Sequence, residues 1–142
     1  MNGKLSWAIF WALVGVFIVI VCVFSIPLFR DLLRDFPFLI ISGALLLSLG
    51  TTFLVLTIKG KTKGIFKWFL LLTGASAIGI PLSVILHNAI YGLFILWFGA
   101  DIWNGGDEPF FFIMALFVCP AAFLVGAIGS IVLAIKRRRG TR

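Results

Sequence analysis

The chain has 142 residues, 62% hydrophobic and 12% charged, with a formal net charge of +7. Soluble domains run nearer half apolar and a quarter charged, so this composition excludes a water-soluble globular protein. Four apolar runs, Leu5–Phe29, Phe36–Ile58, Phe66–Phe98 and Phe110–Ile135, are each long enough to cross a hydrocarbon core of roughly 30 Å. They leave no length for a folded extramembrane unit. The expectation is therefore a single membrane domain over residues 1–142, an all-α integral membrane four-helix bundle.

The first run is longer than the roughly 7–15 apolar residues of a signal-peptide core, and no small-x-small cleavage site follows it. It reads as a retained helix. Ala8, Ala12 and Gly15 form a small-residue face that invites close approach by another helix. Pro27, near the end of the run, suits a kink or a stop. In the loop that follows, Arg30 and Arg34 are four apart, as are Asp31 and Asp35, an arrangement that reads as a surface ion-pair turn. Pro37 then suits the first turn of the second span.

The second span carries Ser42, Ser48, Thr51, Thr52 and Thr57, hydroxyls that can bond back to their own helix or reach a neighbour. Its tetrad Gly50-Thr51-Thr52-Phe53 resembles a fragment of the fluoride-channel family, small four-span dimers with a T-T-F stretch. The resemblance covers these four residues alone and continues here as Leu54-Val55-Leu56. It also lies on the second span, where that family has it on the third. The resemblance implies insertion in both orientations, which the charge distribution opposes. Lys59–Lys67 is a basic connection with Gly60 and Gly64 as breakers.

A straight helix over Phe66–Phe98 would be roughly 50 Å long, well beyond the hydrocarbon thickness. This predicts strong tilt, a segment over Ile90–Trp103 that leaves the membrane direction, or a kink, placed near Pro81, which removes the bond to the Ala77 carbonyl and has Gly79 close by. The run holds one ionisable side chain, His87, in a polar cluster with Ser83, Asn88 and Tyr91. The four-residue spacing predicts one ridge: Ala75, Gly79, Ser83, His87, Tyr91. Polar groups at membrane depth face protein or a cavity. The cluster therefore reads first as a hydrogen-bonded lock between helices, then as a proton or substrate site, or as a ligand, lipid or pigment contact.

A single histidine excludes haem or metal held by two histidines of one chain, and no cofactor or metal is expected. In the loop Gly99–Pro109, Asp107 and Glu108 suit the start of the fourth helix, where negative charge complements the helix dipole. A weak cation site of Asp101, Asp107 and Glu108 is the alternative. The fourth span offers Ala122, Gly126 and Ser130 as a packing face, widened by Ala121 and Gly129. Cys22 and Cys119 lie in apolar runs without a C-x-x-C pair and read as inert thiols.

With alternating connections, one side carries Lys4, Lys59, Lys61, Lys63, Lys67, Lys136, Arg137, Arg138, Arg139 and Arg142, and the other only Arg30 and Arg34. All five acids fall on that second side. The positive-inside rule places both termini in the cytoplasm of a multi-pass protein, and a prokaryotic cytoplasmic membrane is expected. Trp7, Trp11 and Trp68 fit the inner interface, Trp97 and Trp103 the outer. The basic tail is expected to rest on anionic headgroups; no domain accompanies it to read nucleic acid.

There is no Ser-His-Asp set, no phosphate loop and no carboxylate inside a span, so no enzyme and no carboxylate-driven antiporter is expected. The expected function is a non-catalytic accessory or anchor subunit of a membrane complex, or a structural homo-oligomer. The alternative is a small oligomeric channel or transporter lined by Ser48, Thr51, Thr52 and His87.

Overall fold

A computed structural model describes residues 3–27, 36–103 and 106–139. The Arg30–Asp35 turn and Arg142 lie outside the described residues. The architecture is four helices, α1 (Gly3–Ser25), α2 (Phe36–Lys59), α3 (Ile65–Phe98) and α4 (Pro109–Arg139), each long and apolar enough to cross a membrane. A 3-10 turn, Ala100–Trp103, follows α3, and no strand occurs among the described residues.

α1 ends at Ser25, short of the Phe29 read from the apolar run. The residue before a proline disfavours helical backbone, and Pro27 is two positions on. α2 and α3 join through a short turn closed by Gly64, whose φ of 71° is one that only glycine adopts readily. α3 remains helical over 34 residues with Pro81 inside it, and Gly99, at φ 86°, ends it. α4 starts on Pro109 and contains a π stretch, Met114–Val118. Its cause is Pro120, a residue the reading of the fourth span left out of account. Without an N–H, Pro120 gives the Leu116 carbonyl no partner at i+4, and the wider turn instead lets the Cys119 N–H reach the Met114 carbonyl.

The interior is built from Phe10, Leu13 and Phe17 of α1, Leu46 and Phe53 of α2, Leu70 and Ala77 of α3, and Phe123 and Ala127 of α4. Phe17 stacks on Phe123 at 4.4 Å between centroids, and Phe10 meets Phe53 at 5.8 Å. Between apolar helices in lipid, packing of this kind replaces the hydrophobic effect as the source of association. The small face of α1 falls elsewhere: Ala8, Ala12 and Gly15 point outward, and Gly15 has nothing within 4 Å of a Cβ position.

The tightest seam joins α3 to α4. A Cβ on Gly126 would lie 2.7 Å from the Thr73 amide nitrogen and 3.0 Å from the Phe69 carbonyl oxygen, and one on Gly129 would enter the Phe69 ring. α2 approaches α3 through Gly50, whose Cβ would lie 3.3 Å from the Gly74 carbonyl oxygen, and through Gly43, opposite Pro81. Thr57 and Ser130 are buried with hydroxyls that lack a partner among the described residues.

These contacts set the register. Gly43 is opposite Pro81, so Phe36, seven residues earlier on α2, is level with about residue 88 of α3. Cys119 is opposite Gly79, so Pro109, ten residues earlier on α4, is level with about residue 89. α3 therefore outruns its neighbours by about ten residues, roughly 15 Å of helix. Along that extension Leu96, Trp97 and Phe98 are 77%, 68% and 64% exposed.

Two outcomes are expected from thermal unfolding of the protein in detergent. Gly126→Ala should destabilise by roughly 1–3 kcal/mol because backbone must move, whereas Gly15→Ala should stay within about 0.5 kcal/mol of the parent. Ser130→Ala removes an unpaired buried hydroxyl and should be neutral or stabilise by up to about 1 kcal/mol.

Candidate functional site

The face of α3 turned to α4 follows the helical repeat. Phe69, Thr73, Ser76, Gly79, Ser83 and His87 span 18 residues, which is five turns at 3.6 residues each. A strict four-residue ridge drifts by about 40° at every step, so Ala75 rotates off this face and is exposed. The ridge of five is thus corrected to four at its polar end. Gly79 meets the Cys119 sulfur, and Ser83 is hydrogen-bonded to the Cys119 thiol. His87 reaches the start of α4, and Tyr91 stacks on His87 at 6.5 Å and on Trp103 at 5.8 Å.

At the start of α4, Glu108 is the N-cap. Its Oε1 accepts from the Phe110 N–H at 2.8 Å, and its Oε2 from the Phe111 N–H at 2.9 Å. The Asp107 side chain in turn accepts from the Glu108 N–H at 2.9 Å. Two backbone donors that a helix start leaves orphaned are thereby satisfied, by a charge that suits the dipole there. Pro109 at the first helical position needs no acceptor and fixes the entry angle.

His87 closes against this cap. Its Nδ1 lies 3.1 Å from the Glu108 carbonyl oxygen and 3.3 Å from Glu108 Oε2, and its Nε2 lies 3.3 Å from Asp107 Oδ2. The His87 side chain is 15% exposed and that of Glu108 7%, while Asp107 is 53% exposed. Both ring nitrogens face oxygens, so an imidazolium donates on both sides and a neutral ring on one. Phe112 covers the ring at 5.7 Å.

Two carboxylates from outside its own run flank His87, one almost fully buried. The sequence holds the helix-start signal, an acid before Pro109, but not the register that sets that start beside His87. Asn88 leaves the cluster, since it is exposed and its amide donates to the Val84 carbonyl at 2.8 Å. Asp101 is exposed on the 3-10 turn. Asp107 and Glu108 sit on opposite nitrogens of one ring, so they do not converge on a single ion. Among the described residues no three His, Cys, Asp or Glu side chains are arranged to hold a metal.

On α4, Gly126 and Ser130 are buried in the seam and Ala122 is half-buried beside them, while Ala121 is exposed. On α2, Ser48, Thr51 and Thr52 face out of the bundle. Thr52 donates to the Ser48 carbonyl at 2.8 Å and Ser48 to the Leu45 carbonyl at 3.2 Å. Within one chain these hydroxyls and His87 line no common passage. No protein-family model, curated protein sequence or solved structure matches the chain.

The arrangement is chemically a clamp: one imidazole ties the middle of α3 to the first turn of α4. Glu108→Ala removes the cap and the carboxylate contact to His87 together, leaving the contact to the Glu108 carbonyl, and should cost roughly 1–2 kcal/mol, with Glu108→Asp recovering part of it. His87→Leu should cost about 1 kcal/mol. In a double-mutant cycle the two changes should be less than additive, since they break one contact. Full additivity would mean that His87 and Glu108 act independently.

Proposed function

We propose that the protein is a four-span membrane subunit without catalytic activity, with both termini cytoplasmic, that anchors or steadies a larger membrane assembly. The observation that carries this reading is the extension of α3. α1 and α2, with 23 and 24 residues, are each roughly 35 Å long and already match the hydrocarbon core. The ten further residues of α3 then reach past it on the side opposite the basic tail Lys136–Arg139. Apart from Tyr91 they carry no polar side chain, and among the described residues Trp103, folded back on Tyr91 and Phe94, covers one flank. Left in water, each exposed Leu, Trp or Phe forgoes roughly 1.5–3 kcal/mol that burial would supply, so a partner surface is the natural cover. The outward Ala8, Ala12 and Gly15 of α1 add a second face on which another helix packs closely.

The His87 clamp serves this role as a structural part. It holds the base of the extension and the head of α4 in one orientation, as a docking surface requires. The outward hydroxyls Ser48, Thr51 and Thr52 favour a second reading, a small oligomeric channel or transporter, in which copies of the chain turn these groups toward a shared path.

Native mass spectrometry of the protein, extracted from its own membrane in mild detergent, separates the two. The subunit reading expects a different protein at fixed stoichiometry, released by Leu96→Glu combined with Trp97→Ser while the bundle keeps its thermal stability. A discrete homo-oligomer that survives this double change, with no other protein attached, would overturn it in favour of the second reading.

A further inference from the structure

Two prolines stand at one height in the bundle. Cys119 packs against Gly79, so Pro120, the next residue of α4, lies less than a helical turn from Pro81 along the shared axis. Pro81 lacks the N–H that would bond to the Ala77 carbonyl, and Pro120 deprives the Leu116 carbonyl in the same way, with the π stretch Met114–Val118 beside it. Helices bend at prolines and π turns, because there the ladder of backbone bonds is interrupted. α2 meets Pro81 with Gly43, so no α2 side chain at that contact wedges the proline in place. We propose that this level is a two-helix hinge on which the acidic end of the molecule swings as one arm.

The core cluster lies wholly on the basic side of this level. Its last members toward the acidic end are Phe17 on α1, Leu46 on α2, Ala77 on α3 and Phe123 on α4. On α3 beyond Pro81 and on α4 before Pro120, only Ser83, Glu108, Ala115 and Cys119 are buried among the described residues. That part shares no apolar interior with the core that would hold it at one angle. It is nonetheless tied within itself. His87 joins α3 to Asp107 and Glu108 at the head of α4, and Tyr91 and Phe94 carry Trp103. The arm is thus α3 beyond Pro81, the turn Ala100–Trp103 and the head of α4, Pro109–Ile113.

The pivot is the contact of Gly79 with Cys119. A Cβ on Gly79 would lie 2.8 Å from the Cys119 sulfur, so the helices touch there, and Ser83 is hydrogen-bonded to the same thiol. On the core side of the pivot, Gly126 and Gly129 seat α4 on Thr73 and Phe69. Displacement is smallest at such a point and grows along the arm. Phe98 lies 17 residues beyond Pro81, roughly 25 Å of helix, so a bend of about 10° carries the tip by roughly 4 Å. A lever of that length turns a small change at the pivot into a displacement of the exposed Leu96, Trp97 and Phe98.

The hinge needs no partner protein, so its test uses the full-length chain alone in detergent. The protein is labelled with fluorotryptophan, and fluorine relaxation dispersion reads motion on the microsecond-to-millisecond scale of domain hinges. Trp97 reports on the extension, Trp103 on the turn, and Trp7, Trp11 and Trp68 on the basic end. Phe110→Trp, at a position 62% exposed, adds a probe on the head of α4. The expected result is dispersion with one common rate at the three arm probes and flat profiles at the basic end. Pro81→Ala with Pro120→Ala should flatten the arm profiles, whereas Pro27→Ala should leave them. His87→Leu should keep the motion of Trp97 but remove the common rate with the α4 probe. Circular dichroism and thermal unfolding check that each variant folds. Flat profiles at Trp97 and Trp103 in the parent, one rate shared by all the tryptophans, or motion that survives the double proline change would overturn the hinge. A common rate that survives His87→Leu would overturn the single arm. None of these results bears on whether another protein covers the extension.

Discussion

The structure depends on how closely α3 and α4 approach. At Gly126 the two backbones come near enough that a single added methyl group would collide with the Thr73 amide and the Phe69 carbonyl. In a bilayer, where apolar side chains gain little by leaving lipid for protein, such close contact is what holds helices together. It also fixes rotation and height. Once Gly126 lies on Thr73, Cys119 must lie near Gly79, and the head of α4 must arrive beside His87.

The polar clamp is therefore a consequence of the seam as much as a cause of it. The orphaned N–H groups at the start of α4 demand an acceptor, and Glu108 supplies it almost out of contact with water. A carboxylate in that position needs charge or donors around it, and His87 approaches both Glu108 and Asp107 from α3. Capping, carboxylate contacts and aromatic cover by Tyr91 and Phe112 converge on one imidazole. A functional residue at membrane depth is the common first reading of such a histidine. Here each ring nitrogen lies within 3.3 Å of an oxygen at the head of α4, and the functional proposal rests on the extension of α3.

The two ends of the molecule differ in kind. At the acidic end a helix runs on beyond its neighbours, apolar and largely uncovered. At the basic end α4 closes instead on a run of cations, Lys136, Arg137, Arg138 and Arg139. The first suits a protein surface, because nothing but apolar contact is on offer.

The number, order and approximate limits of the four helices were legible in the sequence. Hydrophobic length against bilayer thickness is a local property that needs no knowledge of neighbours. So was the likelihood that Asp107 and Glu108 cap α4, since Pro109 marks the start within one residue. The π stretch before Pro120 was not read from the sequence, although the missing N–H at Pro120 was there to be weighed. The faces were not legible. Ala75 and the small residues of α1 looked like packing positions by spacing, yet point outward, because a four-residue ridge drifts on a 3.6-residue helix and rotation is set by the partner. The meeting of His87 with two carboxylates twenty residues away belongs to the tertiary structure alone. It follows from the register of α3 on α4, which is decided where Gly126 lets the backbones touch.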